Sequence, residues 1–255
     1  MKVSIASYAF HGLKAEGMMD VFGYLESCKF RYRLDVADIW NGTLGGVEED
    51  HLRKVRRALD DREMTLVNLC VDRAHLWDPD PAERERLHQN ALAHLHAAEI
   101  LGARTVRIDM GGRTGEMTEE QFDFIVARYQ EHARRAGDGG YKVGPENHFG
   151  PAFIIENMER VYRAVDHPAF GILLHFGHWE GIEEAEGDRR CAPFVMHTHV
   201  DARITAACLE ERMRILLDAG YDGYWGVEHH SAQNEYHEVA WQLAEVQRML
   251  VRLRG

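Results

Sequence analysis

The sequence predicts an α/β fold, a single (β/α)8 TIM barrel over residues 1–255. Three observations predict it. Short β-type runs recur eight times, most are followed by an amphipathic helical pattern, and the 255 residues are close to the ~250 of a complete barrel of this kind. The runs cover residues 3–9, 34–39, 65–70, 105–109, 142–146, 171–175, 194–199 and 224–228. Strands alternating with helices imply a parallel sheet, because a parallel neighbour needs a crossover. An open doubly wound sheet would more often carry a Gly-rich turn after its first strand, and Ser7-Tyr8-Ala9-Phe10-His11-Gly12 is not one.

The helices have the 3.6-residue period. Met18, Val21, Phe22 and Leu25 fall on one face, as do Phe122, Ile125, Val126 and Tyr129. Leu87, Ala91, His94, Leu95 and Ala98 make a longer stripe that Gly102 should close as a C-cap. Asp80-Pro81 with Glu83, and Thr118 with Gln121, read as capped N-termini. The last helix aligns Leu243, Val246, Leu250 and Leu253. Between the sixth and seventh strands there is room only for a short acidic helix, near residues 182–186.

Composition excludes several function classes. With 30 basic against 42 acidic residues the net charge is −12, which argues against a nucleic-acid partner or an anionic membrane surface. No apolar run is long enough to span a membrane, and no apolar signal region precedes the first strand. Cys28, Cys70, Cys191 and Cys208 are scattered, without C-x-x-C spacing, which reads as free thiols in the reducing cytoplasm.

A barrel places its active site at the C-terminal ends of its strands. Those ends carry Trp40, then Asp72 and His75, then Arg107 and Asp109, then Glu146 and His148. The remaining strands add His175 and His178, then His197, His199 and Arg203, and finally Glu228, His229 and His230. Any one such histidine would read as an ordinary hydrogen-bonded residue. Carboxylates and imidazoles on four successive strand ends point instead to a common centre. Glu146, His175, His199 and Glu228 would offer two carboxylate oxygens and two imidazole nitrogens, a set suited to Mn²⁺, Co²⁺ or Zn²⁺ more than to Mg²⁺.

Four motifs then resemble one family. Tyr141-Lys-Val-Gly-Pro-Glu-Asn-His-Phe-Gly150 is similar to the strand-5 "E-N" motif of the xylose isomerase-like barrels, the sugar phosphate isomerase/epimerase superfamily. Gly171-Ile-Leu-Leu-His-Phe-Gly-His-Trp179 resembles its strand-6 motif, His197-Thr-His-Val-Asp201 its strand-7 His-x-His, and Gly226-Val-Glu228 its strand-8 Glu. The resemblance implies Glu146 and Glu228 as metal ligands doubling as an acid/base pair, and His199 as the strand-7 ligand. It also implies that His178 and Arg203 meet the substrate. His175 stands where the family has Asp, which makes the four ligands and a divalent ion formally neutral.

Such a site suits proton abstraction beside a carbonyl, through a metal-stabilised enediolate, in a ketose or related polyol. The expected activity is therefore that of a sugar isomerase or epimerase. The alternative is a lyase or dehydratase acting on 3-keto sugars, of the C-glycoside-cleaving or inosose dehydratase type, with His148 as the extra base. Two further readings are weaker. An apurinic-site endonuclease would need more metal ligands and a basic groove, and a barrel that lost catalysis at His175 would purify poor in metal. Trp40, Trp77 and Trp179, with Tyr8 and Phe10 after the first strand, could stack on a sugar face or simply pack, while His75 and Asp109 at the rim are further substrate candidates. The loops after strands 7 and 8 lack the glycines of a phosphate grip, which favours a non-phosphorylated substrate. A homo-oligomer or a second subunit is expected, because the chain has no long rim insertion to close its own pocket.

Overall fold

The protein is described from a computed structural model over residues 1–254, so Gly255 of the expected domain lies outside the described residues. Eight strands run in chain order: β1 (Val3–Ile5), β2 (Val36–Trp40), β3 (Thr65–Val71), β4 (Thr105–Ile108), β5 (Lys142–Gly144), β6 (Ile172–His175), β7 (Val195–Val200) and β8 (Trp225–Val227). All six strand pairings are parallel. They fall into two four-stranded ribbons, β1-β8-β7-β6 and β2-β3-β4-β5. Isolated bridges join the ribbons, Ala6 to Asp38 on one side and Val143 to Phe170 and Glu146 to Leu173 on the other.

The predicted helix signals are realised. Asp80 caps Pro81–Leu101 by accepting from Ala82 N, and Gly102 ends that helix at φ 69°, a left-handed conformation that glycine adopts without strain. Leu87, Ala91, His94, Leu95 and Ala98 are all buried on it. Thr118 and Gln121 form a reciprocal capping box at the head of Glu119–Gly139. The short acidic helix lies slightly later than expected, at Glu184–Cys191. The first stripe is only partly right: the helix is Val21–Glu26, and Met18 lies outside it and exposed while Met19 packs inside.

The main apolar core sits between the strands and the helices that cover them. Trp225 is fully buried there, stacked flat on Phe176 at 6.1 Å, whereas Trp241 on Glu235–Arg254 is half-buried. Polar side chains are also buried on the strands themselves: Ser4, Asp38, Asn68, Thr105, Arg107, His175, His197 and His199. Buried polar groups are costly without partners, so these must be satisfied by one another. Among the described residues no helix is long and apolar enough to cross a membrane, and all four cysteines are free.

Candidate metal centre

The last four strands deliver their terminal side chains to one place. His175 ends β6 and His199 is the penultimate residue of β7. Glu228 follows β8 directly, and Glu146 sits two residues beyond β5, held by its bridge to Leu173. One donor atom from each lies within 4.8 Å of the other three. His175 Nδ1 is 3.1 Å from Glu146 Oε1 and 3.5 Å from Glu228 Oε2. His199 Nδ1 is 3.3 Å and 3.4 Å from the same two oxygens. A tetrahedral zinc ion with bonds of about 2.0–2.1 Å requires donors about 3.3–3.4 Å apart. Both the spacing and the chemistry of these donors therefore fit a divalent cation.

Each of the four groups is shifted by its surroundings, the two imidazoles in opposite directions. Burial alone would raise the Glu146 carboxyl, but His148, His175 and His199 outweigh it and hold the group well below the usual carboxylate range. For Glu228 burial is likewise overcome, by His199, His230 and His175. Burial lowers His175, which leaves the imidazole neutral and able to donate a lone pair. His199 is raised instead, because Glu228 and Asp38 overcome its burial.

A cavity of about 270 Å³ opens over this cluster, walled by Tyr8, Trp40, Asp72, Arg107, His148, His178 and His230. Tyr8 and Trp40 meet edge to face at 5.2 Å, and the Trp40 indole donates to Asp72 Oδ2 at 2.7 Å. His178 stacks on His175 at 3.8 Å. Arg107 is buried among carboxylates, with Nη1 2.6 Å from Asp109 and 3.0 Å from Asp72 and Nε 3.2 Å from Glu146 Oε2. His148 Nδ1 approaches the same Glu146 oxygen at 3.1 Å. Asn147 fixes the next turn by donating to the His175 and His178 carbonyls and accepting from His175 N.

Not every predicted site residue reaches this cavity. Glu146, His148, His175, His178, His199, Glu228 and Trp40 line it. Asp109 is buried beside it, engaged by Arg107 and by Glu146 N, so it braces Glu146 instead of facing a ligand. Trp179 is buried and donates its indole N–H to Asp188 Oδ1 at 2.8 Å, which makes it packing. Arg203 turns outward to Glu184. His75 borders a separate cavity with Trp77, Phe149 and Phe153. Asp109 and Glu146 overcome the burial of His148 and raise it to about 9.

The sequence reading passed over Asp38, whereas it placed His230 at the end of the eighth strand and gave Tyr8 as stacking or packing; both line the cavity. Asp38 had a signal, a lone carboxylate in the apolar run Val36-Ala37-Asp38-Ile39-Trp40. Tyr8 had been taken as strand, but β1 stops at Ile5 and Ser7–Phe10 winds as a 3-10 turn that brings the phenol to the rim.

No curated protein matches the sequence. Solved structures do resemble it in fold. The 3-keto-D-glucoside 4-epimerase YcjR from E. coli has a TM-score of 0.79 at 14% identity, over 97% of this chain and 99% of that one. The probable 3-DHS dehydratase AsbF from Bacillus anthracis has a TM-score of 0.75 at 14% identity, over 97% and 99%. An IOLI protein crystallised with a zinc atom has a TM-score of 0.76 at 15% identity, over 99% and 98%. Residues 32–250 match the sequence profile of the xylose isomerase-like TIM barrels, and the chain belongs to that family.

Proposed function

We propose that the protein is a divalent-metal-dependent sugar isomerase or epimerase acting on a ketose or related polyol, with Glu146 and Glu228 as its acid/base pair. The observation that carries this reading is the convergence of Glu146, His175, His199 and Glu228 at the floor of the cavity. When bound there, a divalent cation supplies Lewis-acid polarisation of a substrate carbonyl and its neighbouring hydroxyl, and the mixed nitrogen and oxygen donors favour manganese, cobalt or zinc over magnesium.

The chain's own groups divide the remaining work. Glu228 makes its contacts to His175, His199 and His230 through Oε2, which leaves Oε1 to take a proton from the carbon beside the carbonyl. On the other side, Glu146 Oε2 and His148 share one site, and that pair returns the proton. Return to the opposite face of the same carbon is epimerisation, and return to the adjacent carbon is aldose–ketose isomerisation. Tyr8 and Trp40 offer ring faces to the sugar, and His178 a hydrogen bond to a hydroxyl. A cavity of 270 Å³ lies just under the range of about 300–1,000 Å³ usual for ligand sites, which favours a single sugar ring. Four free thiols support a cytoplasmic setting, and we take the working form to be a homo-oligomer or a complex with a second subunit.

One observation favours a second reading. His148 lines the cavity 3.1 Å from Glu146 Oε2, where it can serve as the extra base that a dehydratase or lyase acting on a 3-keto sugar requires. One experiment separates the readings. After elemental analysis of the purified protein, ketoses and 3-keto glycosides are incubated with it in D₂O. Deuterium uptake into unchanged or epimerised sugar supports the first reading, loss of water or aglycone supports the second, and metal-free protein without exchange removes both.

A further inference from the structure

Behind the metal centre lies a buried polar network that the proposed chemistry does not use. Asp38 on β2 is fully buried and stands on the far side of the His199 ring from the cluster. Its Oδ2 accepts from His197 Nε2 at 2.7 Å and pairs with His199 Nε2 at 3.3 Å. Ser4 Oγ donates to the same oxygen at 3.3 Å, and Asn68 Nδ2 donates to Oδ1 at 2.9 Å. Asn68 is fixed in turn by Thr105 Oγ1 on β4. The main chain is pinned as well, since Asp38 N donates to the Tyr24 hydroxyl, which donates to Ile5 O. Both oxygens of the carboxylate are thus engaged, so it cannot rotate without breaking several buried hydrogen bonds.

The sequence also makes room for this contact. A Cβ at Gly226 on β8 would lie 3.0 Å from Asp38 Oδ2, 2.9 Å from His199 Cδ2 and 2.6 Å from Thr198 O. A side chain there would press on the β7 main chain at Thr198 and on His199 and Asp38 at once. The second imidazole of the cluster has no such support, for His175 Nε2 is buried without a hydrogen-bond partner among the described residues.

We infer that Asp38 is the positioning residue of the metal centre: it holds His199 with the proton on Nε2, so that Nδ1 presents its lone pair to the cation. This rests on the metal-centre reading above. Ring nitrogens that bind metals are oriented by what the other nitrogen meets, and losing such a partner typically weakens metal binding about 10- to 100-fold. His197, donating to the same Oδ2, takes up part of its charge and keeps Asp38 a hydrogen-bond acceptor that does not strip His199 of its remaining proton. The two histidine ligands are therefore unequal, His199 anchored and His175 adaptable.

The test uses zinc alone as the probe. Wild type, Asp38→Asn and Gly226→Ala are stripped with chelator and titrated with zinc against a chromogenic competitor, with circular dichroism reporting the fold. Nitrogen-15 spectra of the zinc-loaded proteins report which His199 nitrogen bears the proton. We expect zinc affinity to fall about 10- to 100-fold in both variants. In wild type His199 should show protonated Nε2 and metal-bound Nδ1, and in Asp38→Asn this single pattern should be lost. Gly226→Ala changes no charge and keeps the proposal testable if Asp38→Asn does not fold. Wild-type affinity in folded variants, with His199 signals unchanged, overturns the role of Asp38 and leaves the metal centre intact. A wild type that binds no zinc overturns both. Absence of sugar turnover, with the affinity losses present, counts against the proposed activity alone.

Discussion

Glu146 pairs with Leu173 across the gap between β5 and β6, so a residue that helps close the barrel there also belongs to the candidate cation site. Just before it, Gly144 runs so close to β6 that a Cβ would meet Gly171 O at 1.7 Å. Overpacking usually costs about 1–3 kcal/mol, and a backbone oxygen has no easy escape. Gly144→Ala should therefore destabilise the protein by about 3 kcal/mol or more, read from the urea midpoint, and should weaken zinc binding by displacing Glu146.

Glu146→Gln and Glu228→Gln should each abolish deuterium exchange into a sugar substrate while leaving the circular dichroism unchanged. A positioned acid or base contributes about 10²–10⁴ in rate, so exchange above a hundredth of wild type in either variant would withdraw that carboxylate's assignment. Glu228→Gln should be the more severe for proton removal, since Glu228 alone has an oxygen clear of the imidazole contacts.

His175→Asp restores a third anionic ligand. With Glu146 and Glu228 it would shift metal preference from zinc toward manganese, the more oxygen-seeking ion. Competition between the two metals, followed by elemental analysis, gives the ratio. An unchanged ratio would show that His175 is not a ligand.

His132 predicts acid sensitivity away from the site. It is fully buried on Glu119–Gly139, stacked parallel to His88, with neither ring nitrogen hydrogen-bonded. Burial pushes it down to about 4, against an unfolded value of about 6.5. Between those limits the unfolded chain binds the proton and the folded chain does not. Its contribution is thus complete above pH 6.5 and is lost progressively as the pH falls toward 4, amounting to about 3 kcal/mol. His132→Phe should flatten urea stability over this interval, and an unaltered pH slope would show that His132 is not its source.

The barrel was legible because its signals are local. A 3.6-residue stripe, an Asp-Pro cap and a Thr-x-x-Gln box are all read within a few residues, and each appears where the sequence put it. Four ligand candidates were legible for a related reason: consecutive parallel strands bring their ends together regardless of the intervening length. Asp38 was not, because its partners His197 and His199 lie 159 and 161 residues away, and nothing in the sequence pairs them. Trp179 and Arg203, unlike Trp40 and His178, do not line the cavity. A residue on a loop after a strand is free to face in or out, and Trp179 and Arg203 face Asp188 and Glu184 on the helix Glu184–Cys191 instead of the cavity.

The two-ribbon construction of the barrel gives the cation a mechanical part to play. Glu146 belongs to the half built on β2 to β5, whereas His175, His199 and Glu228 belong to the half that carries β6 to β8 and β1. Few main-chain bridges stitch the halves together, so an ion gripped from both sides, as proposed, would act as a rivet through the seam. A ligand held only by the folded state stabilises it by about 2.7 kcal/mol at a hundred times its dissociation constant. Here that gain would fall at one of the two seams closed only by isolated bridges, and loss of the ion should loosen the wall there before it loosens the helices.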